Sequence, residues 1–164
     1  MQQSELIENV NRERAMPTVF RTVLVSHSPQ QMFDLINDIE SYPEFMTGCV
    51  RATILHADSN CIEARLTLGL AGLKQSFVTR NELTPPTSMT MHLIEGPFSH
   101  FDGLWSFEEL TEPKGNQGCR ISLRLTFAFR NRLLGIALEK MIEEITNRQV
   151  DALCRRADAV YGAY

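Results

Sequence analysis

Between Val50 and Phe129 the chain alternates apolar and polar side chains almost without a break. Ile62, Ala64, Leu66, Leu68 and Leu70 alternate with Glu63, Arg65, Thr67 and Gly69. Met89, Met91 and Leu93 alternate with Thr90, His92 and Ile94, and Ile121 to Phe129 alternates with Arg120, Ser122, Arg124 and Thr126. Successive side chains of a strand point to opposite faces, so this pattern demands antiparallel strands with one covered and one wet face. Interruptions fall at Gly69–Gly72, Pro85-Pro86, Gly96-Pro97 and Lys114–Gly118, where turn residues belong. The spacing predicts a meander of about six strands. Thr18–Val25, alternating and β-branched, adds a strand before them.

Two helical stretches complete the pattern. Ser28 is a suitable N-cap, Pro29 fits the first helical position and Gln31 completes a capping box. Met32, Phe33, Leu35, Ile36 and Ile39 recur behind it at helical spacing. A second box, Ser41 with Glu44, is expected to start a short turn, so Tyr42-Pro43-Glu44-Phe45 reads as an elbow carrying aromatic rings. From about Leu133 to Tyr161, Leu134, Leu138, Met141, Ile142, Ile145, Leu153, Ala157 and Val160 share one broad face. At 1.5 Å per residue this helix is roughly 40 Å long, enough to cross a seven-stranded sheet. The expected class is α+β: a curved seven-stranded antiparallel sheet wrapped round a long C-terminal helix.

The length, 164 residues, suits one domain. Residues 1–15 are polar and are expected to form a tail, or to precede the working start at Met16, with the domain covering 16–164. No apolar run exceeds six residues even counting glycine, and a membrane-spanning helix needs roughly 18 or more. Membrane contact, if any, would be transient. The first residues lack the apolar segment of a secretory signal, which points to the cytoplasm and to reduced thiols. None of the four cysteines pairs with another in a C-x-x-C motif, and no two histidines stand at ligand spacing, so no metal is expected. A net charge of -4 argues against bulk attraction to nucleic acid but permits a local basic face. The sequence leaves the oligomeric state open.

No residue set stands out as catalytic. No serine lies in a G-x-S-x-G turn, and Gly69 and Gly72 lack the third glycine and following helix of a phosphate loop. Glu108-Glu109 and Glu143-Glu144 are adjacent, so their side chains diverge. His27, His56, His92 and His100 are scattered. The covered face, by contrast, is rich in Met and aromatic residues. It reads either as a closed core or as a cavity for a large apolar molecule. The candidate lining is Leu66, Leu68, Phe77, Met91, Leu93, Phe98, Phe101, Trp105, Leu123 and Leu125 from the sheet, with Met141 and Ile145 from the last helix. Gly103 removes a side chain from that face and is expected to leave room there. Gln75 and Thr79 are the candidate polar groups inside. On the wet face, Arg65, Lys74, Arg80, Arg120 and Arg124 stand among Glu63, Glu82 and Glu108, with Arg130 and Arg132 beyond them. This is either a mixed solvated surface or one that meets RNA phosphates.

Three segments, VSHSPQQMFDLINDIESYPEFMTGC, FVTRN at Phe77–Asn81 and EGPFSHFDGLWSF at Glu95–Phe107, resemble the START-like, polyketide cyclase/dehydrase superfamily. The match is to its branch holding the mitochondrial coenzyme Q-binding protein and the bacterial ribosome association toxin A, over about Met16 to Tyr161. The resemblance implies a helix-grip fold and a hydrophobic tunnel. It implies non-catalytic binding of ubiquinone or a related isoprenoid lipid in support of respiration, with no covalent cofactor. It implies, alternatively, association with the large ribosomal subunit that blocks subunit joining, for which Arg65, Lys74, Arg80, Arg120 and Arg124 of the wet face are the candidate contact surface. Tyr42, Pro43 and Phe45, Gly96-Pro97-Phe98 and Trp105 would line or gate the tunnel. A cyclase or aromatase role, which the superfamily name suggests, lacks an acid–base set in this sequence.

Overall fold

The computed structural model describes residues 17–111 and 117–163. The expected tail and most of the expected Lys114–Gly118 loop lie outside the described residues. The strands are β1 (Thr18–Val25), β2 (Cys49–Ala57), β3 (Cys61–Leu70), β4 (Leu73–Thr84), β5 (Ser88–Glu95), β6 (Phe98–Thr111) and β7 (Gln117–Phe129). The helices are α1 (Pro29–Asn37), α2 (Tyr42–Phe45) and α3 (Arg132–Tyr161), with a single 3-10 turn at Ile39–Ser41 ahead of α2.

The sheet runs β1-β7-β6-β5-β4-β3-β2, antiparallel throughout. Six strands form the meander, and β1 closes beside β7. This is the α+β arrangement expected from the alternation and the long last helix, and the helix-grip fold that the resemblance implies. Its inner face meets α3, which approaches β1 and β7 and is flanked by α1 and α2.

Local chemistry sets the helix ends. Ser28 Oγ accepts from the Gln31 amide at 3.2 Å, and Gln31 Oε1 accepts from the Ser28 amide at 3.0 Å. Asn131 Oδ1 accepts from the Leu133 and Leu134 amides at 3.0 and 3.2 Å and starts α3. The second capping box does not form. Ser41 is already helical (φ -85, ψ -6), inside the 3-10 turn, and makes no cap bond. A side-chain cap needs an extended N-cap backbone. The chain enters α2 from one turn straight into another, so the box motif has no work to perform.

Burial is deepest where α1, α3 and the β6–β7 pair meet. Met32, Ile36, Cys119, Ile121, Val150, Leu153 and Ala157 are wholly inaccessible. Each large aliphatic side chain buried there contributes about 1.5–3 kcal/mol. Val160, placed by its spacing on the covered stripe of α3, is instead half exposed, because the covered side of the last turn is the one carrying Ala157 and Tyr161. The four cysteines carry free thiols. Burial pushes the Cys49 and Cys119 thiols up to about 11, which suits small buried hydrophobes rather than nucleophiles.

Candidate functional site

Away from that packed region, the sheet and α3 separate. A cavity of about 50 Å³ lies between them. Leu66, Leu68 and Ala64 of β3, Phe77, Thr79 and Asn81 of β4, and Met91 of β5 form its sheet wall. Phe101 and Trp105 of β6 and Leu123 and Leu125 of β7 continue it. Ile142, Ile145, Thr146 and Gln149 of α3 face them, and Ile39, Tyr42 and Met46 close the side at the elbow. A water needs roughly 10–15 Å³ of such space, so the cavity holds a few waters at this width.

One register row explains its shape. Asn81, Met91, Gly103 and Leu125 are paired neighbours across β4 to β7. Gly103 leaves a gap in this row, as expected, but the gap is filled. A Cβ on Gly103 would lie 2.3 Å from the terminal methyl of Met91. The room is therefore held by a flexible, polarizable side chain that can turn away.

Of the sequence-derived lining residues, Tyr42, Leu66, Leu68, Phe77, Met91, Phe101, Trp105, Leu123, Leu125 and Ile145 border the cavity. The others are placed elsewhere. Pro43 is exposed on the outside of the elbow. Phe45 packs edge-on to Tyr42 at 5.8 Å, and the Arg156 guanidinium lies 5.1 Å over its ring. Phe98 is wholly buried in an aromatic cluster, 4.8 Å from Phe129 and 5.0 Å from Phe101. Met141 is buried in the core, and Leu93 is half-buried against it, near Gly96. Gly96 is required where it stands, because a Cβ there would lie 2.7 Å from that of Phe77.

The cavity is apolar with a polar strip. Thr79 is a strip member as expected; Gln75 is only half-buried and does not reach it. Asn81, Thr146 and Gln149 were not singled out from the sequence. Their signal was parity: Asn81 occupies an inward position of β4, and Thr146 and Gln149 share the α3 stripe with Ile142 and Ile145. The strip's protons are largely committed. Thr79 Oγ1 donates to Asn81 Oδ1 at 2.9 Å, Thr146 Oγ1 donates to the Ile142 carbonyl at 2.7 Å, and the Tyr42 hydroxyl donates to the Ile36 carbonyl. Burial holds the Tyr42 phenol above its ordinary range, with the Cys49 and Asp38 charges adding to the effect. Among the described residues, no carboxylate, imidazole or amine lines the cavity.

The outer face carries the expected cations, all exposed, but most have company. Arg120 bonds Glu108 at 2.8 Å, and the Arg124 guanidinium sits 5.5 Å over the Phe20 ring. Arg80 stands among Cys61, Glu63 and Glu82, which hold its guanidinium above the ordinary range. Asp102 lies between His100, at 2.9 Å, and His92, at 3.3 Å. Among the described residues there is no group of side chains arranged to hold a metal ion, and no helix is long and apolar enough to cross a membrane.

Comparisons with known proteins agree with this architecture. The sequence signature described as polyketide cyclase/dehydrase and lipid transport matches residues 25–154. The ribosome association toxin RatA of Escherichia coli is 38% identical over 151 residues, spanning 92% of this chain and 93% of that protein. The mitochondrial coenzyme Q-binding protein COQ10 homolog B of Xenopus laevis is 21% identical, spanning 85% of this chain and 57% of that protein. Among solved structures, the Zhui aromatase/cyclase from a Streptomyces species superimposes with a TM-score of 0.79 at 18% identity, covering 91% of this chain and 99% of its own. At that identity the likeness is one of fold.

Proposed function

This chain belongs to the polyketide cyclase/dehydrase and lipid transport family, and on that premise we propose that its cavity binds a hydrophobic molecule without transforming it, an isoprenoid quinone such as ubiquinone fitting best. The observation that carries the reading is the pairing of an apolar wall with the Asn81 amide. The hydroxyls of Thr79, Thr146 and Tyr42 donate to protein acceptors. Beside these hydroxyls, the Asn81 and Gln149 amides supply N–H donors, which suit a head group that accepts, as quinone carbonyls do. An isoprenoid tail needs no anchor, since each buried CH₂ contributes about 0.8 kcal/mol. At about 50 Å³ the space is well below the roughly 300 Å³ of a typical small-molecule pocket, so uptake requires widening. Rotation of Met91 out of the Gly103 gap is the nearest source of volume.

Mass spectrometry of solvent extracts from the purified protein, with quenching of Trp105 fluorescence by added ubiquinone, tests the reading. A co-purified quinone and saturable quenching are expected. Asn81→Leu should weaken quinone uptake but spare uptake of a plain fatty chain. Absence of both quinone and saturable uptake would overturn the proposal.

A second reading is favoured by the likeness to the ribosome association toxin RatA: association with the ribosome through the outer face, with the large subunit as the partner. Arg65 and Lys74 are the exposed cations of that face to examine first, because Arg80, Arg120 and Arg124 already have protein partners. Co-sedimentation with large subunits should fall with salt and with Arg65→Glu or Lys74→Glu. Binding indifferent to both changes and to salt would remove this surface from consideration.

A further inference from the structure

Several exposed aliphatic residues, Leu73, Ile94, Leu133 and Ile136 among them, lie at one end of the molecule. The β3–β4 turn, the end of β5, the start of β6 and the start of α3 all lie there, as the pairing of Leu70 with Leu73, of Val78 with Glu95 and of Phe98 with Phe129 requires. Two apolar prominences occupy this end. The first is the opening of α3, where Leu133 and Ile136 are 81% and 73% exposed, beyond any other large apolar side chain described. They are three apart on a helix, so they project side by side.

The second prominence is the tip of the β3–β4 hairpin. Leu70-Ala71-Gly72-Leu73 is a two-residue turn with no polar side chain. Ala71 has φ 51 and Gly72 φ 82. Such a turn ordinarily takes Asn or Asp at its first central position, because an alanine at positive φ is strained. Nothing lies within 4 Å of a Cβ placed on Gly72, and Ala71 and Leu73 are exposed beside it, while Leu70 packs back against the core. An exposed turn that accepts strain to stay apolar is not explained by folding.

Cations flank both prominences. Lys74 follows the hairpin tip, and Arg132 and Lys140 bracket the helical one; Glu95, Glu139, Glu143 and Glu144 are the acids nearby, the last paired with Arg148. We propose that this end docks on the surface of an anionic phospholipid bilayer, the aliphatic tips entering the headgroup region and the cations meeting phosphates. Two separate small prominences behind a cationic rim suit a fluid surface of anionic headgroups. The inference goes beyond ligand binding and does not depend on what fills the cavity.

The test is flotation of the full chain with phosphatidylcholine vesicles, with and without phosphatidylglycerol. Binding to the anionic vesicles, reduced by salt, is expected. The double variant Leu133→Ser/Ile136→Ser should weaken it by about tenfold or more, and Arg132→Glu should weaken it several-fold. Ala71→Asn should separate folding from docking, raising Tm by about 2–4 °C by relieving the left-handed strain while weakening vesicle binding. Phe20→Ser/Leu24→Ser, on the outer face, should leave binding unchanged. No binding to either vesicle, or binding lost only with Phe20 and Leu24, would overturn the inference. So would a dimer in solution that Leu133→Ser/Ile136→Ser breaks, with no vesicle binding. Trp105 quenching by a water-soluble short-chain quinone, measured without vesicles, reports on the cavity alone, so either reading can fail while the other stands.

Discussion

Two regions of one inner face, built from the same alternating strands, end differently. Where α1 and α3 cross the β6–β7 pair, side chains interlock until Met32, Ile36, Cys119, Ile121 and Leu153 are wholly inaccessible. Where the sheet continues through β5 to β3, the elbow and the middle of α3 leave a cavity instead. The difference is the number of layers available. A second helix with a firm cap fills the first region. The second has only the four-residue α2, too short to fill the space under a curving sheet. Alternation specifies which side chains face inward; it does not specify how much helix comes to meet them.

Truncation should separate the regions most strongly. Ile36→Ala or Leu153→Ala is expected to cost about 2–5 kcal/mol in urea unfolding. Leu66→Ala should cost clearly less, because Leu66 is only part-buried and already borders a void. Equal losses would break the comparison. Alkaline stability sharpens it next. Cys119 lies in the packed region and Cys49 beside the elbow, and burial pushes both thiols from 9.0 up to about 11. Above pH 9 the unfolded chain releases these protons while the native chain keeps them. The unfolded state then binds fewer protons, so stability is full below about pH 9 and is lost as pH rises towards about 11. Each thiol contributes about 2 kcal/mol to that loss. Cys119→Ala and Cys49→Ala should each flatten the alkaline limb by a similar amount. A smaller effect for Cys49 would mean that water reaches the elbow side. The smallest expected change in stability comes from Gly103→Ala, under about 1.5 kcal/mol. Its new methyl evicts the Met91 terminus towards the cavity, so ligand uptake, measured by Trp105 quenching, should fall several-fold while Tm hardly moves.

The architecture was legible because its signals are local. Ser28 with Gln31, the turn residues at Gly96-Pro97 and the period-two runs each act within a few residues. The site was legible only in part. Leu66, Phe77, Trp105 and Leu125 follow from parity, and so would Asn81 had inward polar positions been given the weight of inward apolar ones. The position of Phe45 depends on Arg156, far away in sequence, and that of Phe98 on how five rings pack. Ser41 shows the converse: the right residue types at the right spacing fail when the chain arrives already coiled.

The fastenings of α3 carry one more consequence. At its start, the Arg130 amide and Nε donate to the Pro97 and Phe98 carbonyls, and Gly135 sits against Phe129. From its midpoint to its last turn, Arg21 holds the Asn147 carbonyl and Asp151, His27 meets Asp158, and the Tyr161 hydroxyl reaches the Gln31 carbonyl. The helix is thus a beam fastened at its start and along its second half, with the cavity beneath residues 142–149. A beam held so cannot swing like a door. Beyond the gap that Met91 can vacate, space for a guest has to come from the floor, by splaying of β3 to β5, so amide exchange on loading should change in those strands and stay fixed along the beam.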